Sequence, residues 1–300
     1  RILVSIPVLI AVASLTFFLI KLAPGGPFDA DRAVSPQVMK NLNDAYNLNA
    51  SEWDQYKDYM IGVIQGDFGP SFRYPGRSVT EMIATGLPVT FELAFYAMLV
   101  ALFVGIISGV IAALKRNTYF DFIPMAFAMI GICVPTFLMG PLLVLIFGIT
   151  LEVLHVSGWG QLPGDKLLPS LTLGFAYAAY IARLSRGGML EVLNQDFIRT
   201  ARSKGLPEHK VVIKHAMQGG LIPVVAFMGP AIAGLLSGSF VVETIFQIPG
   251  LGRFYVEAAF NRDYTMILGT TIFFSAMIVF FNLLSDLASL WLNPRSRDSS

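Results

Sequence analysis

Three carboxylates, Glu92, Glu243 and Asp286, lie in or beside long apolar runs of a 300-residue chain. An ionised acid in such surroundings costs roughly 2.5–3.5 kcal/mol unless it pairs or meets water, so each needs a use. A proton relay is one candidate chemistry, and a carboxylate pair sharing a proton for hydrolysis is another. Glu92 and Asp286 fall toward opposite membrane faces on the span reading below, too far apart to share a proton. Hydrogen bonding between helices is the favoured role for all three. The histidines His155, His209 and His215 form no metal-ligand cluster. The lone cysteine, Cys133, has no thiol to pair with and reads as a small apolar helix residue. No G-x-x-x-x-G-K-[ST] loop occurs, so the chain does not bind ATP by that route. Neither a catalytic residue nor a metal site is expected.

The second chemistry-bearing stretch is basic. Between Glu191 and Gly220 stand Arg199, Arg202, Lys204, Lys210 and Lys214, in a pattern that predicts helix, turn, helix. Asn194 or Asp196 can cap a short helix through Phe197, Ile198 and Ala201. Gly205 suits the left-handed residue that ends it, and Pro207 can start the next. The second helix is expected to set Val211, Val212 and His215 on one side, away from Lys210 and Lys214.

Membrane helices must position these residues. Apolar residues make up 55% of the chain and charged ones 14%, and the mean hydropathy is +0.65, far above that of a soluble domain. A net charge of +1 gives no pull toward nucleic acid. Apolar runs of spanning length recur at residues 2–20, 87–114, 122–154, 167–184, 221–245 and 264–292, which predicts about six transmembrane helices. The end of the third run, Leu151–Leu154, is expected at the interface. No small-x-small cleavage pattern follows Lys21, so the first run reads as a retained span.

Lysine and arginine resist translocation. Lys115, Arg116, Arg183, Arg186, the basic stretch, Arg295 and Arg297 follow the second, fourth or sixth span, which puts those loops and both termini in the cytoplasm. The opposite side receives residues 23–86, acidic through Asp29, Asp31, Asp44, Glu52, Asp54, Asp58, Asp67 and Glu81. There Ser35-Pro36 and Ser51 read as helix starts. Trp53, Tyr56, Met60, Ile61 and Ile64 share one face of a helix ended by Gly66, a small cap that packs over the bundle or helps dock a delivery protein. The fold class is therefore all-α: a polytopic membrane protein with a small helical extracytoplasmic segment and a cytoplasmic helix-turn-helix. Its organisation is a first transmembrane helix at 1–22, the extracytoplasmic segment at 23–86, and a transmembrane core at 87–300 that carries the connector at 191–220. Gly105-xxx-Gly109 and Gly234-xxx-Gly238 permit close helix approach.

The sequence resembles a known family at several places. Arg199-Thr200-Ala201-Arg202-Ser203-Lys204-Gly205, followed by Lys214-His215-Ala216-Met217, is similar to the cytoplasmic "EAA" loop of binding-protein-dependent ABC importer permeases, with Ala201 and Gly205 at the matching Ala and Gly. Arg199 stands where the general motif has Glu, and Gln218 where it often has Pro. Gly66-Asp67-Phe68-Gly69-Pro70-Ser71-Phe72, Glu243-Thr244-Ile245-Phe246 with Pro249-Gly250-Leu251-Gly252, Asn261-Arg262-Asp263-Tyr264 and Asn293-Pro294-Arg295 look like the oligopeptide/dipeptide permease B subunit.

The resemblance implies a pore-forming subunit of the bacterial inner membrane. Its partners would be a homologous second permease subunit, two cytoplasmic ATPase subunits that hold ATP and Mg, an extracytoplasmic peptide-binding protein and membrane lipid. Arg199, Thr200, Ala201, Arg202, Lys204, Gly205 and His215 would belong to the loop that couples to the ATPase. Dipeptide or nickel-chelate import is the alternative within the family. A proton-coupled carrier is the alternative outside it, although no inverted repeat of broken helices is evident in the two halves.

Overall fold

The computed structural model describes residues 2–22, 40 and 46–292. The expected helix start at Ser35-Pro36, the acids Asp29, Asp31 and Asp44, and the closing Asn293-Pro294-Arg295 with Arg297 lie outside the described residues. The described elements are helices: α1 (Ile2–Leu22), α2 (Glu52–Gln65), α3 (Val79–Leu114), α4 (Tyr119–Cys133), α5 (Thr136–Leu143) continued by a π-helical stretch π1 (Val144–Thr150), α6 (Leu167–Leu193), α7 (Asp196–Ser203), α8 (Glu208–Lys210), π2 (Val211–Ala216), α9 (Met217–Gly220), α10 (Ile222–Ile245), α11 (Leu251–Asn261) and α12 (Tyr264–Leu292). Five of these are long and apolar enough to cross a membrane, and the pair Tyr119–Cys133 and Thr136–Thr150, bent by 114°, supplies a sixth crossing if it counts as one span.

The expected boundaries change at four places. The third apolar run is not one straight helix: Pro135 lacks an N–H and forces Val134 into extended backbone (φ −86°, ψ 118°), which breaks the run there. It also ends at Thr150, so Leu151–Leu154 belong to a loop rather than a helix end. Conversely, α3 starts at Val79 and α6 runs on to Leu193, carrying Arg183 and Arg186 inside a helix instead of a loop.

The chain divides into two compact units, Arg1–Thr90 with Pro249–Val279, and Phe91–Ile248 with Phe280–Ser300. The first has a core of Val79, Met82, Ile83, Leu251, Ala258 and Met266. Its polar centre is Asp263, 1% exposed, which accepts from the Ser71 hydroxyl, from the Phe72 and Arg73 N–H groups at 3.1 and 3.3 Å, and from Thr265 at 3.0 Å. Two motifs nearly two hundred residues apart in sequence, around Ser71 and Asp263, thus satisfy one another.

In the second unit α6 is the central helix, packed by α4, α5, α9 and α10. A Cβ on Gly174 would meet the Ala97 carbonyl at 2.6 Å, one on Gly105 the Ala178 carbonyl at 2.7 Å, and one on Gly109 the Ala182 carbonyl at 2.4 Å. The small pair Gly105-xxx-Gly109 therefore serves packing within the chain. Residue numbers rise together along the two helices, so α3 and α6 run parallel.

Candidate coupling surface

The basic stretch folds as helix, turn, helix, with different caps from those the sequence suggested. Asn194 donates its amide to the Leu190 carbonyl at 2.8 Å, finishing α6. Gln195 is the extended residue before α7 and offers no side-chain cap, while Asp196 sits inside the first turn, where its charge suits the helix dipole. At the other end Gly205 adopts φ 75°. The Gly205 N–H reaches the Arg202 carbonyl at 2.9 Å and the Leu206 N–H reaches the Ala201 carbonyl at 3.4 Å, the paired bonds of a Schellman ending.

Arg202 then clasps the far side of the turn. Its Nη2 and Nε meet the Glu208 carboxylate at 2.6 and 3.2 Å. This hydrogen bonding raises the guanidinium pKa and holds the Glu208 carboxyl below its ordinary value. Pro207 precedes α8, and the chain continues without interruption through π2 and α9.

The π2 stretch decides which side chains face inward. Five-residue hydrogen bonding brings positions i and i+5 onto one side, so Val211 and Ala216 are both buried, and His215 is only half-buried. The expected Val211–Val212–His215 face is corrected accordingly: Ala216 takes the place given to His215. Ile198 and Ala201 from α7 join Val211, Val212 and Ala216 in one core with Ala113, Met189 and Val192 of α3 and α6. A second clamp is backbone against backbone. A Cβ on Gly188 of α6 would lie 2.2 Å from the Gly220 carbonyl oxygen of α9, so only glycine permits this approach.

The seven candidate residues thus fall into different places. Arg199, Thr200 and Lys204 are exposed, Arg202 is tied to Glu208, Ala201 packs inward, Gly205 makes the turn, and His215 lies at the edge of the core. Arg199 pairs with Asp196 at 3.6 Å, an exposed contact of little energetic weight. Sequence reasoning missed Glu208, whose charge opposite Arg202 across a Gly-Leu-Pro turn was an available signal. It placed Phe197 in the first short helix but not its exposure, and it did not single out Ile213; both face solvent, and together with Arg199, Lys204, Lys210 and Lys214 they give this element a mixed apolar and basic outer face.

The membrane-embedded carboxylates have partners. Glu92 accepts from Lys166 and, at 2.9 Å, from Trp159 Nε1, and the Lys166 ammonium lies 5.1 and 5.6 Å from the Trp159 and Tyr96 ring centres. The bond to Glu92 raises the Lys166 pKa. The loop holding these groups is fixed by Asp165. Burial pushes its carboxyl up, but the N–H groups of Leu162, Gln161 and Gly160 outweigh that and hold it below the ordinary value. Glu243 is fully buried and accepts from Ser239 at 2.7 Å. Asp286 is half-buried on α12. An ion pair absent from the sequence reading joins Arg186 to Asp121, 1% exposed, through two bonds of 2.6 and 2.8 Å.

Residues 105–298, a segment that contains this connector, match the family described as binding-protein-dependent transport system inner membrane component. The chain belongs to that family. It is a multi-pass membrane component of a transport system. Among its relatives, the oligopeptide transport system permease protein OppB of Salmonella typhimurium strain LT2 is 43% identical over 298 residues, covering 99% of this chain and 97% of the relative. OppB of Escherichia coli K12 shows the same identity and coverage. The dipeptide transport system permease protein DppB of Bacillus subtilis strain 168 is 42% identical, covering 96% and 93%. The fold is that of a chain in inward-facing structures of the MetNI methionine ABC transporter, with TM-score 0.60 and 15% identity over 71% of this chain and 96% of that one. A chain of an amino acid ABC transporter gives TM-score 0.52 at 17% identity, covering 70% and 94%.

Proposed function

We propose that this family member is the pore-forming permease subunit of an ATP-driven importer that moves oligopeptides handed over by an extracytoplasmic binding protein. The observation that carries this reading is 43% identity to OppB over 99% of the chain. In the assembly the chain pairs with a homologous second permease subunit and rests on two cytoplasmic ATPase subunits, which hold ATP and Mg and perform the hydrolysis. The chain itself catalyses nothing. Its termini face the cytoplasm, as the lysine and arginine distribution argues.

The connector is suited to pass on the ATPase's motion because it is stiff. Its turn is closed by a Schellman ending and the Arg202–Glu208 clasp, and its inner face shares a core with α3 and α6. Its outer face offers the charged and apolar groups that a partner cleft would receive. The 42% identity to DppB keeps dipeptides as the second reading. A proton-coupled carrier is less well supported, because Glu92 is engaged by Lys166 and Trp159.

Reconstitution of the chain with its partner subunits in vesicles tests the proposal. Uptake of a labelled oligopeptide is expected to require ATP and to survive a proton uncoupler. Uptake by this chain alone, driven by a pH gradient, would overturn it. Gly205→Trp, strained at φ 75° and bulky on the outer face, is expected to abolish ATP-dependent uptake while the chain still inserts.

A further inference from the structure

The helix α2 turns only part of its apolar face toward the protein. Ser51 caps it, accepting from the Asp54 N–H at 3.2 Å, and Gly66 ends it at φ 78°. Of the apolar residues expected on one face, Tyr56 and Met60 are half-buried, whereas Trp53, Ile61 and Ile64 are 57, 55 and 83% exposed. At 100° per residue Trp53, Ile64 and Ile61 form one narrow stripe with Lys57 between them, flanked by Asp54 and Asp58. The helix therefore has a protein-facing side, an uncovered apolar stripe and an acidic edge.

Its depth follows from what the protein-facing side touches. The Tyr56 hydroxyl lies 2.7 Å from Ser14 Oγ of α1, and its ring packs at 5.4 Å on both Phe17 and Phe18. Tyr59 lies against Phe17, and Lys21 donates to Gln55 at 2.5 Å. Ser14 is inside the spanning stretch Ser5–Leu22, about 10 Å along the axis from Lys21 at ~1.5 Å per residue. A helix held to Ser14 and Phe17 is thus at bilayer depth, not above it. On α1 itself Leu15, Leu19 and Leu22 are 63, 63 and 79% exposed, an apolar surface of the kind that lipid covers. Trp53, Ile61 and Ile64 are a second exposed apolar stripe, on the helix packed against α1. Lys57, its ammonium 5.7 Å from the Trp53 ring centre, supplies the aromatic and basic pairing typical of the headgroup level.

We infer that α2 is an interfacial helix whose Trp53–Ile61–Ile64 stripe is covered by the bilayer leaflet at the Lys21 end of α1. It does not stand free as a docking knob for a delivery protein. The stripe would sit at the boundary of headgroups and acyl chains, with Asp54 and Asp58 toward water. This inference needs only that the protein is multi-pass, and it stands whatever the cargo is.

Tryptophan quenching in lipid nanodiscs holding the whole assembly tests it, with the Trp53 signal taken as the difference between the wild type and Trp53→Phe. Lipids brominated near the top of the acyl chain are expected to quench that signal at least twofold, with acrylamide having little effect. Ile64→Asp should cut the bromolipid quenching of Trp53 by half or more while the assembly stays intact on gel filtration. Strong acrylamide quenching with none from bromolipid would overturn the inference. So would Trp53 shielding that appears only on addition of the binding protein, or only when the second permease subunit is present.

Discussion

Asp121 and Arg186 carry the clearest single-residue consequence. Arg186 read in sequence as one more positive charge fixing orientation, and nothing in its spacing named a partner 65 residues away. In the fold its guanidinium meets a carboxylate that is also held by the Asn117 N–H at 3.1 Å, at the first turn of α4. Removing the arginine leaves a nearly buried carboxylate without its ion partner, a loss below the ~3–5 kcal/mol of a fully buried pair because the Arg186 side chain is 29% exposed, whereas replacing both members by apolar groups is often close to neutral. Arg186→Met alone is therefore expected to lower the thermal midpoint of the purified protein sharply, and Asp121→Leu with Arg186→Met to recover most of the loss. Equal loss in the single and double variants would refute a paired role. Glu92 was legible as needing a partner but not which one, because Trp159 and Lys166 reach it only through the loop that Asp165 shapes.

At the scale of elements, the connector between α6 and α10 was largely readable. Its Gly205 ending and Pro207 restart are local, set by left-handed backbone and a fixed proline φ. What was not readable is its docking. The π-helical turn that exchanges His215 for Ala216 on the buried side has no local signature, and Gly188 against Gly220 is a contact between separate helices. A side chain at 188 must push α9 away from α6. Gly188→Leu is expected to reduce ATP-driven uptake at least tenfold and to speed trypsin cleavage at Arg199, Lys204 and Lys210, because a connector without its base opens locally. Unchanged cleavage together with lost uptake would mean that the clamp does something other than hold the connector.

At the scale of the whole molecule, the number of crossings turns on the bent third span. Its two halves of 15 residues each extend only ~22 Å at 1.5 Å per residue, short of the ~30 Å hydrocarbon core. The pairs Gly105–Ala178 and Gly109–Ala182 show α3 and α6 running in the same direction. The chain between them must therefore return to the side from which α3 set out, and α4, α5 and π1 together make that return. In a Cys133→Ala background, cysteines introduced as Asn117→Cys and Glu152→Cys are expected to react with an impermeant maleimide from opposite sides of sealed vesicles. Labelling from the same side would refute this return, and with it the crossing of the membrane by α3 and α6 in the same direction.

The amino-acid sequence by itself determined that this is a membrane-spanning helical protein, about where its spans fall, and that its basic connector is two short helices joined at a glycine. Those are consequences of hydropathy and backbone preference, which act over a few neighbouring residues. The tertiary structure alone decided the partners of the buried charges, the break and return of the third span, the inward face of the connector, and the uncovered side of α2. Each of these depends on which distant segment comes to lie alongside, and a local pattern does not encode that.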